Sequence, residues 1–122
     1  MGEHKLEVFE FWRDRGEAAP LIVRGEVRHP ADAKGAVVIC HGFKGFARFA
    51  FFPRLADQIA DRGLRAITFD FSGSGIGEDR ENFTNPSAFT SNTYLQELED
   101  LAAVVAEARV RRWIDDGLPG ME

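Results

Sequence analysis

Ala36-Val37-Val38-Ile39-Cys40 runs without a charged or hydroxyl side chain straight into His41-Gly42-Phe43-Lys44-Gly45. A half-buried strand alternates apolar with polar residues, whereas an unbroken apolar run is the habit of a strand buried on both faces in a parallel sheet. The tract therefore predicts an α/β domain. Its two glycines let the chain turn sharply at the strand's end and bring bare backbone close to a ligand.

The flanking segments fill in the order. Lys5 to Trp12 is rich in aromatic and β-branched residues and reads as a first strand, followed by a turn at Asp14-Arg15-Gly16-Glu17. Leu21 to Arg28 reads as a second strand, with Leu21, Val23 and Val27 on one face and Arg24, Glu26 and Arg28 on a wet one. The two form an antiparallel hairpin at a sheet edge, broken by His29-Pro30-Ala31-Asp32. Phe52, Leu55, Ala56, Ile59 and Ala60 recur at helical spacing, with Pro53 in the first turn and Gly63 as terminator. Leu64 to Phe71 is a fourth strand, so strand, helix and strand imply a right-handed parallel crossover. Ser72 to Thr90 is polar and turn-rich and predicts a long surface loop. Thr93 and Gln96 form a capping box for a last helix whose packing stripe is Tyr94, Leu98, Leu101 and Val105, with Leu95 and Ala102 beside it. The expected order is β-β-β-α-β-α in a single domain, 1–122. Residues 113–122 are a short irregular tail, too short for a further strand, a nucleophile turn and a helix.

Composition narrows the function. Among 122 residues, 44% are hydrophobic and 11 are phenylalanine, which fits a packed core. Twenty acidic and fifteen basic residues give −5, and no basic stripe interleaved with aromatics offers a nucleic-acid face. Arg109, Arg111 and Arg112 read as complements to a helix C-terminus. Cys40 is the one cysteine and reads as a small buried hydrophobe, not a reactive thiol. The N-terminus opens no signal region, position 6 is Leu where a myristoylation signal needs Ser or Thr, and no stretch approaches a membrane span, so a cytoplasmic protein is expected. No two histidines have ligand spacing, and neither metal nor other cofactor is expected. Gly73-Ser74-Gly75-Ile76-Gly77 follows a strand, but a dinucleotide fingerprint needs glycine where Glu78 stands, and no helix begins there.

Three pieces in order carry a resemblance. They are His41-Gly42-Phe43-Lys44-Gly45, then Phe69-Asp70-Phe71-Ser72-Gly73-Ser74-Gly75, then Asn92-Thr93-Tyr94 leading into Glu97-Leu98-Glu99-Asp100-Leu101. Together, over about Leu21 to Arg109, they resemble the N-terminal half of bacterial serine esterases of the α/β-hydrolase family. The resemblance implies a partial α/β-hydrolase-like sheet and hydrolysis of an ester or related acyl bond through an acyl-enzyme. The family's G-x-S-x-G elbow is missing, because none of Ser72, Ser74, Ser87 and Ser91 has glycine two places away on both sides.

In that family the residue after His-Gly supplies an oxyanion N–H, which assigns the role to Phe43; nucleophile, acid and base are absent. His41, Gly42 and Gly45 then support the loop, with His41 acting through a side-chain hydrogen bond and not as general base. Phe43 and Phe46 are candidate lining of an acyl pocket with Lys44 near its mouth, while most of Phe43, Phe46, Phe49, Phe51 and Phe52 are expected in the core. Asp70 reads as structural, fixing the loop after its strand. The implied substrate is a small-molecule acyl ester, acted on only once the missing half completes the site. An uncovered sheet edge suggests self-association. The alternatives are a non-catalytic remnant or interaction module, and a nucleotide-binding α/β domain.

Overall fold

A computed structural model describes residues 3–13, 21–42 and 45–114. Four strands are seen among them: β1 (His4–Arg13), β2 (Leu21–Pro30), β3 (Ala36–Cys40) and β4 (Arg65–Asp70). They form one mixed sheet in the order β1-β2-β4-β3. The hairpin pairs β1 with β2 antiparallel, β2 pairs antiparallel with β4, and β3 pairs parallel with β4. Helix α1 (Phe52–Asp61) makes the parallel connection, α2 (Pro86–Thr90) is one short turn, and α3 (Tyr94–Val110) closes the described chain. The fold is thus mixed α/β. The turn expected at Asp14 to Glu17 lies outside the described residues.

Register assigns the two faces. Val27 lies opposite Ile67, Gly25 opposite Phe69 and Val38 opposite Ile67, so these share one face with Phe9 of β1. Val104 and Ala108 of α3 pack there, together with Trp113 and Ile114. Those last two residues had been assigned to an irregular tail, but they are buried and their N–H groups both return to the carbonyl of Ala108. Burying a ring such as that of Phe69 stabilises the fold by roughly 1.5–3 kcal/mol.

The opposite face carries Glu26, Arg28, Ala66, Thr68 and Asp70 beneath α1. Ala56 and Ala60 are the helix's buried residues, and their small side chains let it approach the sheet closely. Pro53 stands in its first turn, and Gly63 ends it at φ 89°, a left-handed value that glycine adopts without penalty.

Several expectations fail here for physical reasons. The second strand has no wet face: Glu26 is 4% and Arg28 7% exposed, because both find charged partners under α1 and the adjoining loops. β2 also continues through His29 to Pro30. The apolar run Ala36–Cys40 is not buried on both faces. It is paired on one side only among the described residues, its residues are half-buried, and Cys40 is exposed. On α3 the expected stripe holds only in part: Leu101 and Val105 pack against the core, but Tyr94, Leu95, Leu98 and Ala102 are exposed, while Gln96, Asp100, Val104 and Ala108 are buried. Phe49 and Phe51 are likewise exposed, outside the core.

Gly25 shows how tightly the hairpin meets the sheet. A Cβ there would lie 2.5 Å from Cζ of Phe9 and closer still to the carbonyl oxygen of Thr68. Gly25→Ala should therefore destabilise the protein by roughly 1–3 kcal/mol, the usual cost of overfilling a packed site. Urea unfolding followed by circular dichroism measures it, and an unchanged midpoint would show that β1 shifts freely on β2.

Candidate functional site

Because β3 and β4 run parallel, with Cys40 opposite Phe69, their carboxyl ends lie side by side. That is where open α/β sheets place ligands. His41-Gly42 leaves one strand and Phe71-Ser72-Gly73 leaves the other, and side chains tie the two exits together.

His41 is buried and its ring meets that of Phe71 edge-on, the centroids 4.9 Å apart. Its Nε2 accepts the backbone N–H of Phe71 at 3.1 Å. Nδ1 therefore carries the hydrogen and donates to the Gly42 carbonyl at 2.9 Å. The same carbonyl accepts the N–H of Gly45 at 2.9 Å. Both ring nitrogens are engaged by backbone, so neither is placed to take a proton from a nucleophile. Phe43 and Lys44, the sequence candidates for oxyanion donor and pocket mouth, lie outside the described residues. Gly42, Gly45 and Phe46 are described and lead into and out of that point.

Asp70 ends β4 and is buried. Its Oδ1 accepts the N–H of Ala47 at 2.6 Å, so the loop after β3 is held by the last residue of β4. Burial raises the carboxyl's pKa, and the Ala47 N–H and the nearby charges of Arg80 and Arg48 offset this only in part.

On the sheet's other face Asp100 of α3 does the equivalent work. Its Oδ2 accepts the Ser72 N–H at 2.7 Å and the Ser72 hydroxyl at 2.8 Å, while Nε of Arg13 lies 3.2 Å from Oδ1. Thr93 caps α3 by accepting the Gln96 N–H at 3.1 Å. The amide of Gln96 is buried and turns to the Ser72 hydroxyl, 3.5 Å away, so the capping box forms in one direction only. Asn92 donates to Glu97 at 3.0 Å. The Glu97–Asp100 segment thus anchors the turn that follows β4. Ser72 is buried and committed to Asp100. The Ser74 hydroxyl accepts the N–H of Ile76 at 3.2 Å. Cys40 ends β3, and partial burial of its thiol and the charge of Glu97 raise its pKa, which disfavours a thiolate.

The stretch from Ser72 to Thr90 is more ordered than its composition predicts. It holds an antiparallel bridge between Ile76 and Phe83 and the short helix α2. Asn85 caps that helix by accepting the Ala88 N–H at 3.2 Å, with Pro86 in its first turn. Asn followed by Pro at a helix start was the available signal, too brief for any periodicity to reveal. This stretch and the β3 loop border a cavity of about 340 Å³, open to solvent on one side and lined by Gly45, Phe46, Ser74, Ile76, Glu81, Phe83 and Phe89.

Among known proteins, no family model matches the chain and no curated protein is significantly similar to it.

The burial of Asp70 sets a pH dependence. Since its folded pKa is raised above the unfolded one, the folded state holds this proton more tightly. The stability so contributed is present at low pH and is lost as pH rises through the folded value. Asp70→Asn keeps an oxygen for the Ala47 N–H and removes the ionisation. The variant should lose this falling component of stability just above the ordinary aspartate range, as read from urea midpoints across pH. A superimposable pH profile for the two proteins would exclude Asp70 as its source.

Proposed function

We propose that this chain supplies the oxyanion side of a serine-dependent acyl-transfer site, in the manner of the N-terminal half of an α/β-hydrolase acting on an ester or related acyl bond. The supporting observation is convergence. Three motifs far apart in sequence meet at the carboxyl ends of β3 and β4 through the His41–Phe71, Asp70–Ala47 and Asp100–Ser72 hydrogen bonds. A preorganised backbone turn is what acyl transfer needs, since donors must already point to where the carbonyl oxygen becomes negative. The nucleophile and its base come from sequence other than these residues, because the serine best placed by position, Ser72, spends its hydroxyl on Asp100.

Two experiments test this reading. The chain alone should neither hydrolyse p-nitrophenyl acetate above a heat-denatured control nor react with a fluorophosphonate probe; stoichiometric labelling of Ser72 or Ser74 would overturn the proposal. Completed by a segment bearing a G-x-S-x-G nucleophile, it should tolerate Phe43→Ala in turnover, because alanine keeps the backbone N–H. Phe43→Pro removes that hydrogen and should lower turnover by roughly a hundredfold or more at unchanged melting temperature.

One observation favours a second reading, that of an interaction module. The edge of β3 away from β4 is unpaired among the described residues and carries no charge or proline to discourage pairing, and Tyr94, Leu95 and Leu98 stand exposed on α3. Such a surface should give a concentration-dependent mass in light scattering. A monodisperse monomer that melts cooperatively would count against it.

A further inference from the structure

We infer that the cavity between the loops after β3 and β4 is a binding site for a neutral, ring-bearing ester, with the ring held among phenylalanines. The role of that ring as the acyl part of a substrate rests on the acyl-transfer reading above; the binding itself does not.

The cavity's size and walls make the case. At about 340 Å³ it falls within the range of small-molecule sites. An apolar cavity of roughly 150 Å³ already accepts benzene, so a ring with a short chain fits here. Phe46, Ile76, Phe83 and Phe89 form its apolar walls, and Ser74 and Glu81 supply polar side-chain atoms. Phe83 meets Phe89 edge-on at a centroid distance of 5.5 Å, the arrangement in which aromatic rings attract beyond the area they bury. A third ring inserted between these walls and Phe46 would extend that packing.

These walls are built in advance. Gly75 has φ 83°, and a Cβ there would collide with the Phe83 ring, so only glycine lets the ring close over this turn. Backbone bonds of 2.9 Å from Gly77 to Asn82 and from Thr84 to Gly75 hold the two limbs together. Asp79 accepts the N–H groups of Glu81 at 3.0 Å and Asn82 at 2.9 Å, fixing the tip. Phe83 is nevertheless 53% exposed, a large cost for a ring whose turn is so firmly tied. A ligand that covers it removes that cost.

Charge selects a neutral ligand. Among the described lining residues Glu81 is the charged one, and its carboxylate repels anions. Arg48 lies 3.7 Å from the Glu81 carboxylate and is already bound to the buried carboxylate of Glu26.

The test uses the whole chain, ¹⁵N-labelled, and three probes: methyl 3-phenylpropanoate, methyl butanoate and the 3-phenylpropanoate anion. The ring ester should shift the amides of Gly45, Ile76, Phe83 and Phe89 saturably. It should bind at least about tenfold more tightly than either other probe. Phe89→Leu and Phe46→Leu each keep an apolar side chain while deleting a ring, and each should weaken the ring ester several-fold. Phe51→Leu, which alters an exposed ring outside the cavity, should leave its affinity unchanged. Absence of saturable shifts at these amides, equal affinity for the aliphatic ester or the anion, or indifference to both cavity variants would overturn the inference. Because no turnover is read, loss of binding would leave the oxyanion proposal standing, and a failed hydrolysis test would leave the ligand site standing.

Discussion

A buried carboxylate holds this fold's working end in place. Glu26 sits in the middle of β2 under α1, and the guanidinium groups of Arg28, Arg48 and Arg80 gather around it. Arg48 comes from the loop after β3 and Arg80 from the loop after β4, so one charge draws both loops toward the same sheet face. Arg80 adopts a left-handed backbone, φ 62°, which a non-glycine residue keeps only where its surroundings insist. Its ion pair with Glu26 and its 3.3 Å bond to the Gly25 carbonyl supply that insistence. Removing one member of a buried ion pair costs roughly 3–5 kcal/mol, since the survivor is left charged and unsolvated.

The same device recurs. Arg28 also donates to Asp57 on α1 at 2.6 Å, and His4 of β1 lies within 3.2 Å of Asp57 and 3.1 Å of Asp61. Burial works against ionisation of Asp57, but Arg28 and His4 outweigh it and hold its pKa below the ordinary value. Asp100 answers from the opposite face with Arg13 and Ser72. Polar groups in the interior thus link successive elements at the strand ends, while the apolar residues between them supply the burial that holds the sheet to its helices.

Sequence pattern located the strands and α1 well because apolar runs, Gly63 and Pro53 carry local signals. His41, Asp70 and the Glu97–Asp100 segment also belong to the three motifs that the sequence offers, and the fold brings them together at the ends of β3 and β4. Pattern misjudged residues whose environment is decided by distant partners. Glu26, Arg28, Gln96 and Asp100 are polar, and pattern assigns such residues to solvent. Only the arginines from other elements and the Ser72 turn make their burial tolerable. On α3 a stripe chosen from apolar residues takes in Tyr94 and Leu98, which are exposed, and leaves out Gln96 and Asp100, which are buried. The unbroken apolar run of β3 was read as doubly buried because hydrophobicity measures what a strand tolerates, not how many neighbours it has.

The strand order also constrains how the chain assembles. β4 is the last of the described strands to be synthesised, yet it lies between β2 and β3 and is the only one hydrogen-bonded to both. Until Arg65–Asp70 leaves the ribosome, the hairpin and β3 share no ladder, and β2 and β3 each show an unpaired edge. Val27 must wait for Ile67 and Ala36 for Arg65. Pairings between such distant segments close slowly because the loop entropy comes before the contacts. Nascent chains of this protein therefore pass through a stage at which β2 and β3 are complete and their shared partner does not yet exist.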